Sequence, residues 1–460
     1  MPEDGTGERE SRSTGIERRR LLKGLGATTS LGALAGCAGL TGGGGGGGSG
    51  NGNGGGNSGD TQIDYWMYFG AQEQTEMAKL VEEFNSQDNG IHVNTQSVPF
   101  PEFLNKLFTA VNANNAPHIA SYYGSYGHYL KDACQPIDQY LSNGAKSKYF
   151  ETAWNSLQVE GNTYALPIDI HGKALYTNDA ILKKAGVDPD FKQWSEFKQV
   201  CNTIKSKTDA RPFSFLNWKV GQAALRTYLI ALIQAGGTVL EGKPGNQTVA
   251  FDNETGMQTA ELMASITGER GWDVPKMQSE SARIEDFLGN ELAMFIGGTW
   301  SINNFENESG NLPKDLDFSF HEPFFFPGDG DDIGWAESNS LYFPHNKNHT
   351  EEERQAAVKF AEYVTQNNTL WAKAGGHLPA AKSVATSKEV KDTKLWKEHG
   401  TISTMYDMVK NKKVRYQPMS TVHLNSAKYW SPFVDIYLGN TSVKKGVQKS
   451  AKTLGNALKG

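Results

Sequence analysis

From residue 61 onward, apolar and polar positions switch between two periods. Ile63-Asp64-Tyr65-Trp66-Met67-Tyr68 alternates and predicts a strand, after which Met77, Leu80, Val81 and Phe84 recur at helical spacing. Asn89-Gly90 turns the chain into Ile91-His92-Val93, a second strand. Phe103, Leu104, Leu107, Phe108 and Val111 line the next helical face, and His118-Ile119-Ala120-Ser121-Tyr122-Tyr123 predicts a third strand. Strands alternating with helices predict a parallel α/β sheet. Further on, Leu225, Tyr228, Leu229, Leu232 and Ile233 line a helix closed by Gly236-Gly237, and Thr259, Leu262, Met263 and Ile266 line another. Thr350 and Glu353 have capping-box spacing and open a helix carrying Ala357, Phe360, Ala361 and Val364. No internal repeat is visible.

The first sixty residues show no such pattern. The remaining stretch of about 400 residues exceeds one ordinary core and suits two lobes. Hydrophobic residues make up 38% of the 460-residue chain and aromatics 11%, with 10 Trp and 17 Tyr, enough for a core and for flat ligand-stacking faces. A net charge of -6 without a basic stripe argues against nucleic acid as a partner. No later stretch approaches the ~18 apolar residues that span a bilayer, so the mature body is expected to be soluble. The three cysteines, Cys37, Cys134 and Cys201, form no CxxC pair, so no metal site and no cofactor is expected from them. Cys134 and Cys201 either pair in an oxidising compartment or remain two buried thiols.

The N-terminus reads as an address and a tether. Arg18-Arg19-Arg20-Leu21-Leu22-Lys23, followed by a Gly/Ala-rich apolar stretch from Gly24 to Gly36, is the pattern of an export signal. Its arginine pair resembles a twin-arginine signal, with departures at Glu17 and Leu21. Leu34-Ala35-Gly36-Cys37 looks like a lipobox, which implies cleavage before Cys37 and a lipid on its thiol. Thr41 to Gly59 is nearly pure Gly, Asn and Ser, a flexible leash with a root-mean-square reach of roughly 25 Å. Residues 1–36 are thus expected to be signal and 37–60 anchor and linker, placing the body at the extracellular face of the membrane.

Several segments of the body resemble family 1 extracellular solute-binding proteins, the maltose- and multiple-sugar-binding group of ABC importers. The run Tyr164-Ala165-Leu166-Pro167, Ala174-Leu175-Tyr176-Thr177-Asn178-Asp179, Ala185-Gly186-Val187 and Trp194-Ser195-Glu196-Phe197 carries one landmark. Glu291-Leu292-Ala293-Met294-Phe295-Ile296-Gly297-Gly298-Thr299-Trp300 resembles the family's AMxxxGxW strand and turn. Asn114-Asn115-Ala116-Pro117, Pro136 to Leu141 and Gly376-His377-Leu378-Pro379-Ala380 fit lesser landmarks. The chain departs from the pattern at His118, where Asp is usual, and at Lys173, in a stretch that often carries small or polar residues. Lys173 and His171 argue against restricting the ligand to a plain neutral sugar.

The resemblance implies an α/β, two-lobed, periplasmic-binding-protein-like fold (type II) with a central cleft. The chain would cross between lobes near Pro167, His321 and Ala380, giving lobe one as 61–168 plus 320–380 and lobe two as 169–319 plus 381–460. It implies a monomeric, non-enzymatic protein that delivers a sugar-like solute to ABC permease subunits. Trp300 matches the family's ligand-stacking tryptophan, and Tyr429-Trp430 falls where the maltose-binding branch places a stacking aromatic.

The residues themselves add further candidates. Trp66 and Tyr68 end the first strand and Tyr122 and Tyr123 the third, and ligands gather at the carboxyl ends of parallel strands. Asp169 is the first carboxylate after the Pro167 crossing. Trp335, Glu337 and Asn339 cluster after a Gly/Asp-rich loop, and Asp329 to Asp332 within that loop does not match the EF-hand. His377 beside two glycines can reach the cleft or remain a solvated loop histidine. A glycoside-acting enzyme would need two carboxylates ~5–10 Å apart, and no GxSxG, HExxH or Walker loop is present. His345 and His349 flank a capping signal rather than a helix interior. A metal-chelate receptor on a similar fold is a second alternative, kept open by Tyr122-Tyr123.

Overall fold

The computed structural model describes residues 59–460 except 190, 192, 215–220, 275–278, 306–312, 314–315 and 323–332. The signal, Cys37, most of the linker and the Asp329–Asp332 loop lie outside the described residues. Strand β1 (Thr61–Met67) buries Ile63, Tyr65 and Met67 on one face, as its alternation requires. Helix α1 (Ala71–Asn85), β2 (Ile91–Ser97), α2 (Phe100–Asn112) and β3 (Ile119–Tyr123) follow in the expected order. β1 pairs in parallel with β2 and β3. Two antiparallel strands, β4 (Ala165–Pro167) and a later one, complete this five-stranded sheet.

The chain then passes, through Ile168 alone, into β5 (Asp169–Asn178), the axis of a second sheet. All ten residues of β5 are buried. This sheet also holds β6 (Arg211–Ser214), β7 (Leu292–Gly298), β8 (Phe318–His321) and β9 (Gly334–Glu337). Ser338 separates β9 from β10 (Asn339–Tyr342), which returns to the first sheet between β3 and β4. Short strands β11 (Leu378–Pro379) and β12 (Val414–Tyr416) join the second sheet.

Two expectations change. The sheets are mixed rather than parallel: β5 runs antiparallel to β7, β8, β9 and β11. In the first sheet, too, β10 runs antiparallel to both β3 and β4. The passage back to the first sheet lies at Ser338 and not near His321, because Phe318–His321 pairs with Asn178–Leu175 along β5.

Helices α3 (Trp194–Lys207), α4 (Gly221–Gln234), α6 (Glu280–Leu288), α7 (Glu351–Gln366) and α8 (Thr369–Gly375) pack on the sheets, and α5 (Glu254–Thr267) packs on α4 and the C-terminal helices Ala427–Tyr437 and Val443–Leu458. The predicted capping box at α7 is formed: Glu353 N donates to Thr350 Oγ1 at 3.2 Å and Thr350 N to Glu353 Oε2 at 2.6 Å. One core centres on β1 with Phe84, Phe360 and Trp371, the other on α4 with Phe197, Trp272 and Trp430. Cys134 and Cys201 are both buried free thiols. No helix among the described residues is long and apolar enough to cross a membrane.

Candidate functional site

Alternation along β5 sends residues 169, 171 and 173 to one face. Asp169, fully buried, stands where the two sheets meet and accepts from five donors. His171 Nδ1 at 2.9 Å and the Asn339 backbone N at 2.9 Å reach Oδ1. Asn339 Nδ2 at 2.7 Å, Trp371 Nε1 at 2.6 Å and His377 Nδ1 at 2.9 Å reach Oδ2. Burial raises the carboxyl's pKa, but the two imidazoles and their hydrogen bonds outweigh it and hold Asp169 well below the carboxylate range. An ionised carboxylate only accepts, so both rings carry their proton on Nδ1 and turn Nε2 away from it. Burial pushes His171 down to about 4. His377 is pushed down by burial but more strongly up by Asp169 and Glu73, whose Oε1 is 3.8 Å from His377 Nε2.

In front of this hub lies a cavity of about 570 Å³. Its wall includes Tyr68, Glu73, Tyr123, His171, Lys173, Arg226, Glu280, Trp300, Asn339 and His377. A second hollow of about 490 Å³ adjoins it through Gln72 and Asn303, and extends past Lys373 and Leu395 to His399.

The AMxxxGxW turn has a steric reason. The Trp300 indole folds back over Gly298, where a Cβ would lie 2.2 Å from the ring. The half-buried indole stands edge-to-face with His171, Trp335 and His377 at 5.6, 6.5 and 6.3 Å. Gly376, at φ +63°, lets the loop press on the Trp300 turn; a Cβ there would meet Thr299 O at 2.5 Å. That contact is what carries His377 to the cavity rather than to solvent.

The cavity brings together Trp300, Tyr68 and Tyr123 from the sequence-based candidates, with Asp169 directly behind. Tyr68 donates its hydroxyl to Asn339 Oδ1, joining the Asp169 network. Tyr122 lies beneath, 2% exposed, between Phe100 and Phe103. Trp335 is fully buried under the Arg226 guanidinium, which lies 4.4 Å from its ring centre. Glu337 is also fully buried, taking Ser125 N at 3.1 Å, Ser338 N at 3.0 Å and the Ser125 hydroxyl; burial pushes it up to about 7.

Three candidates stand elsewhere. Trp66 carries Lys106 Nζ at 4.7 Å from its ring. Trp430 is core: its indole packs on Tyr228, Phe251 and Phe433, and Nε1 donates to Leu424 O at 2.6 Å. Tyr429 is 2% exposed beside it. Sequence reasoning missed Arg226, Glu73 and Glu280. Arg226 had a visible signal, a lone charge in the otherwise uncharged helix GQAALRTYLIALIQ. Glu73 and Glu280 sit in the first turns of α1 and α6, where acids are common for reasons of helix polarity alone.

Residues 79–398 match the family described as bacterial extracellular solute-binding protein. A binding protein of Brucella abortus is 26% identical over 238 residues, 50% of this chain and 56% of that protein. The arabinooligosaccharide-binding protein of Bacillus subtilis is 22% identical over 220 residues, 46% of this chain and 49% of that protein. The chain thus spans about half the length of the curated relatives it matches. The cyclic alpha-maltosyl-1,6-maltose binding protein of Arthrobacter globiformis superposes with a TM-score of 0.71 at 18% identity, covering 87% of this chain and 100% of that one. The fold is therefore the two-lobed α/β fold of maltose-binding-type proteins. With the family match running across both sheets, this chain belongs to the bacterial extracellular solute-binding protein family.

Proposed function

We propose that the protein is the substrate-binding component of an ABC importer and reversibly holds a carbohydrate in the cavity at Trp300. The carrying observation is that cavity: an indole and two phenol rings, Trp300, Tyr68 and Tyr123, beside amides, imidazoles and charged groups, on a maltose-binding-type fold. A sugar offers C–H faces to rings and hydroxyls to polar groups. Burying one face is worth roughly 1.5–3 kcal/mol, against ~0.5–1.5 kcal/mol net for each neutral hydroxyl hydrogen bond. The rings would set affinity and the polar wall the choice of sugar.

The lobes would be organised on the two sheets and hinged at Ile168, Ser338 and the stretch near Ala380. Ligand touching both lobes only when closed shifts the population to the closed form, which membrane permease subunits would recognise and reopen. No covalent step in this chain is needed. Cys37 would carry the lipid and the Gly-rich leash would let a monomeric body dock and undock at the outer face of the membrane. Relatives bearing binding-protein names support this reading over a glycoside-acting enzyme. Isothermal titration against sugars and polyols tests it: micromolar or tighter binding is expected for at least one, and turnover of a glycoside by the pure protein would defeat it.

A further inference from the structure

The wall formed by β5, α4 and α6 gathers three basic side chains, Lys173, Arg226 and Arg283, around Glu280. Lys173 lines the cavity, is 3% exposed, and its amine makes no hydrogen bond among the described residues. An ammonium group has three donors, and leaving them unmet in a buried setting is costly. Burial accordingly pushes Lys173 down to about 7, with Glu280 the acid opposing that shift. Arg226 lines the same wall, 6% exposed, its guanidinium flanked by the rings of Trp335, Tyr123 and Trp300. Behind them Arg283 is fully buried, and none of its three nitrogens has a hydrogen-bond partner among the described residues.

The acids nearby are already engaged. Glu280 accepts from Ser301 Oγ at 2.9 Å, and Glu337 is taken up by Ser125 and Ser338. Across the cavity Glu73 faces His377, and Asp169 is saturated by its five donors. Neither Lys173 nor Arg283 has a hydrogen-bonded acceptor among the described residues, and of the two Lys173 lines the cavity.

We infer that the solute is an acidic carbohydrate, a sugar bearing a carboxylate as in a uronic acid, with that carboxylate bound by Lys173 and Arg226 while its ring lies against Trp300. The inference rests on the carbohydrate reading above. A guanidinium and a carboxylate match as planar forks, giving charge-assisted bonds about twice as strong as neutral ones. The three rings around Arg226 hold that fork in place, so little side-chain freedom is lost when it engages.

Matched pairs decide it. The purified protein is titrated at low ionic strength with uronic-acid di- and trisaccharides and with neutral sugars of the same linkage. One acidic member should bind about 100-fold tighter than its neutral partner, a difference of about 2.7 kcal/mol. Added salt should narrow the gap. Arg226→Gln and Lys173→Met should each reduce the acid-to-neutral preference about tenfold or more, with Arg226→Lys retaining part of it. Neutral sugars binding as tightly as their acids would overturn the inference and leave the carbohydrate reading intact. Failure of both series to bind would overturn both. If the variants do not fold, the wild-type pairs still decide.

Discussion

At the residue scale Asp169 governs most of the site. Its five donors come from β5, β10, α8 and the His377 loop, so one carboxylate ties together segments far apart in sequence. Asp169→Ala would strand two imidazole N–H groups, an indole N–H and an amide in a buried setting. A loss of about 3–5 kcal/mol follows from breaking a buried charge network, measured as a lower urea midpoint; a midpoint within experimental scatter of wild type would remove Asp169 from that role. Trp300→Ala removes a half-buried ring packed on His171, Trp335 and His377 and so lowers stability as well. At a temperature where the variant is folded, it should weaken sugar binding at least tenfold, or ~1.4 kcal/mol. Calorimetry giving wild-type affinity for that variant would place the sugar elsewhere. Titration of the shifted histidines and carboxylates sets the pH dependence. Burial holds His171, His349 and His423 each near 4, below the ordinary ~6.5. Between those values the unfolded chain binds more protons than the folded one, so stability falls as pH drops from about 6.5 to 4. His377, shifted upward, works the other way: its contribution is present in acid and fades as pH rises through its folded value. Glu337, held near 7, and Glu73, also raised, act in the same direction as His377. His118, His128 and His345 are lowered with the three near 4, so the lowered groups outnumber the raised ones and the urea midpoint should decline from pH 7 to pH 4.5. A midpoint that rises on acidification would mean that these rings are already charged in the fold.

At the element scale, legibility followed the range of the physics. Elements set by local periodicity were readable: β1 to β3, α1, α2, α4, α5 and α7 all occur where Leu, Phe, Met and Tyr spacing placed them. Capping is equally local, and Thr350→Ala should cost about 1 kcal/mol, read from thermal or urea unfolding; no change would show the cap to be redundant with the acidic first turn of α7. The unreadable part is β5. Asp169–Asn178 is buried along its whole length yet carries Asp, His, Lys, Thr and Asn, a composition that no hydrophobic rule marks as a central strand. Asp169 is tolerated because donors from β10, α8 and the His377 loop meet it, and Thr177 and Asn178 find partners in Asp179 and Asn290. The same non-local logic hid the role of Ser338, a single residue between two strands that belong to different sheets. Trp430 failed as a cleft candidate for the complementary reason: a tryptophan's position in a motif does not reveal which side of its helix faces the core, and here Phe251 and Phe433 claim the ring.

At the scale of the whole molecule the two sheet-switching residues sit side by side. Ile168 N donates to Asn339 O at 2.8 Å, and Asn339 N to Asp169 Oδ1 at 2.9 Å, so the passages at Ile168 and Ser338 form a short hydrogen-bonded ladder between the sheets. Leu378–Pro379 adds a third strand beside them, paired to Ile170 and Asp169. Such a ladder resists sliding, because slippage would break backbone bonds and the Asp169 network together, but it permits bending about its own line. Cavity groups come from both sides of it: Tyr68, Glu73 and Tyr123 from the first sheet and α1, Lys173, Arg226 and Trp300 from β5, α4 and the turn after β7. A ligand bridging these sets rewards the closed arrangement, and the free-energy gain is limited to its differential contacts with closed and open forms. Small-angle scattering should therefore show a smaller radius of gyration with saturating ligand than without. Enlarging Gly172, whose Cβ would meet Trp335 O at 2.6 Å where β5 and β9 pack, should push those strands apart. In Gly172→Val both the compaction and the affinity should fall. Tight binding with an unchanged radius in the wild type would mean that the cleft is already formed and that the two halves do not swing.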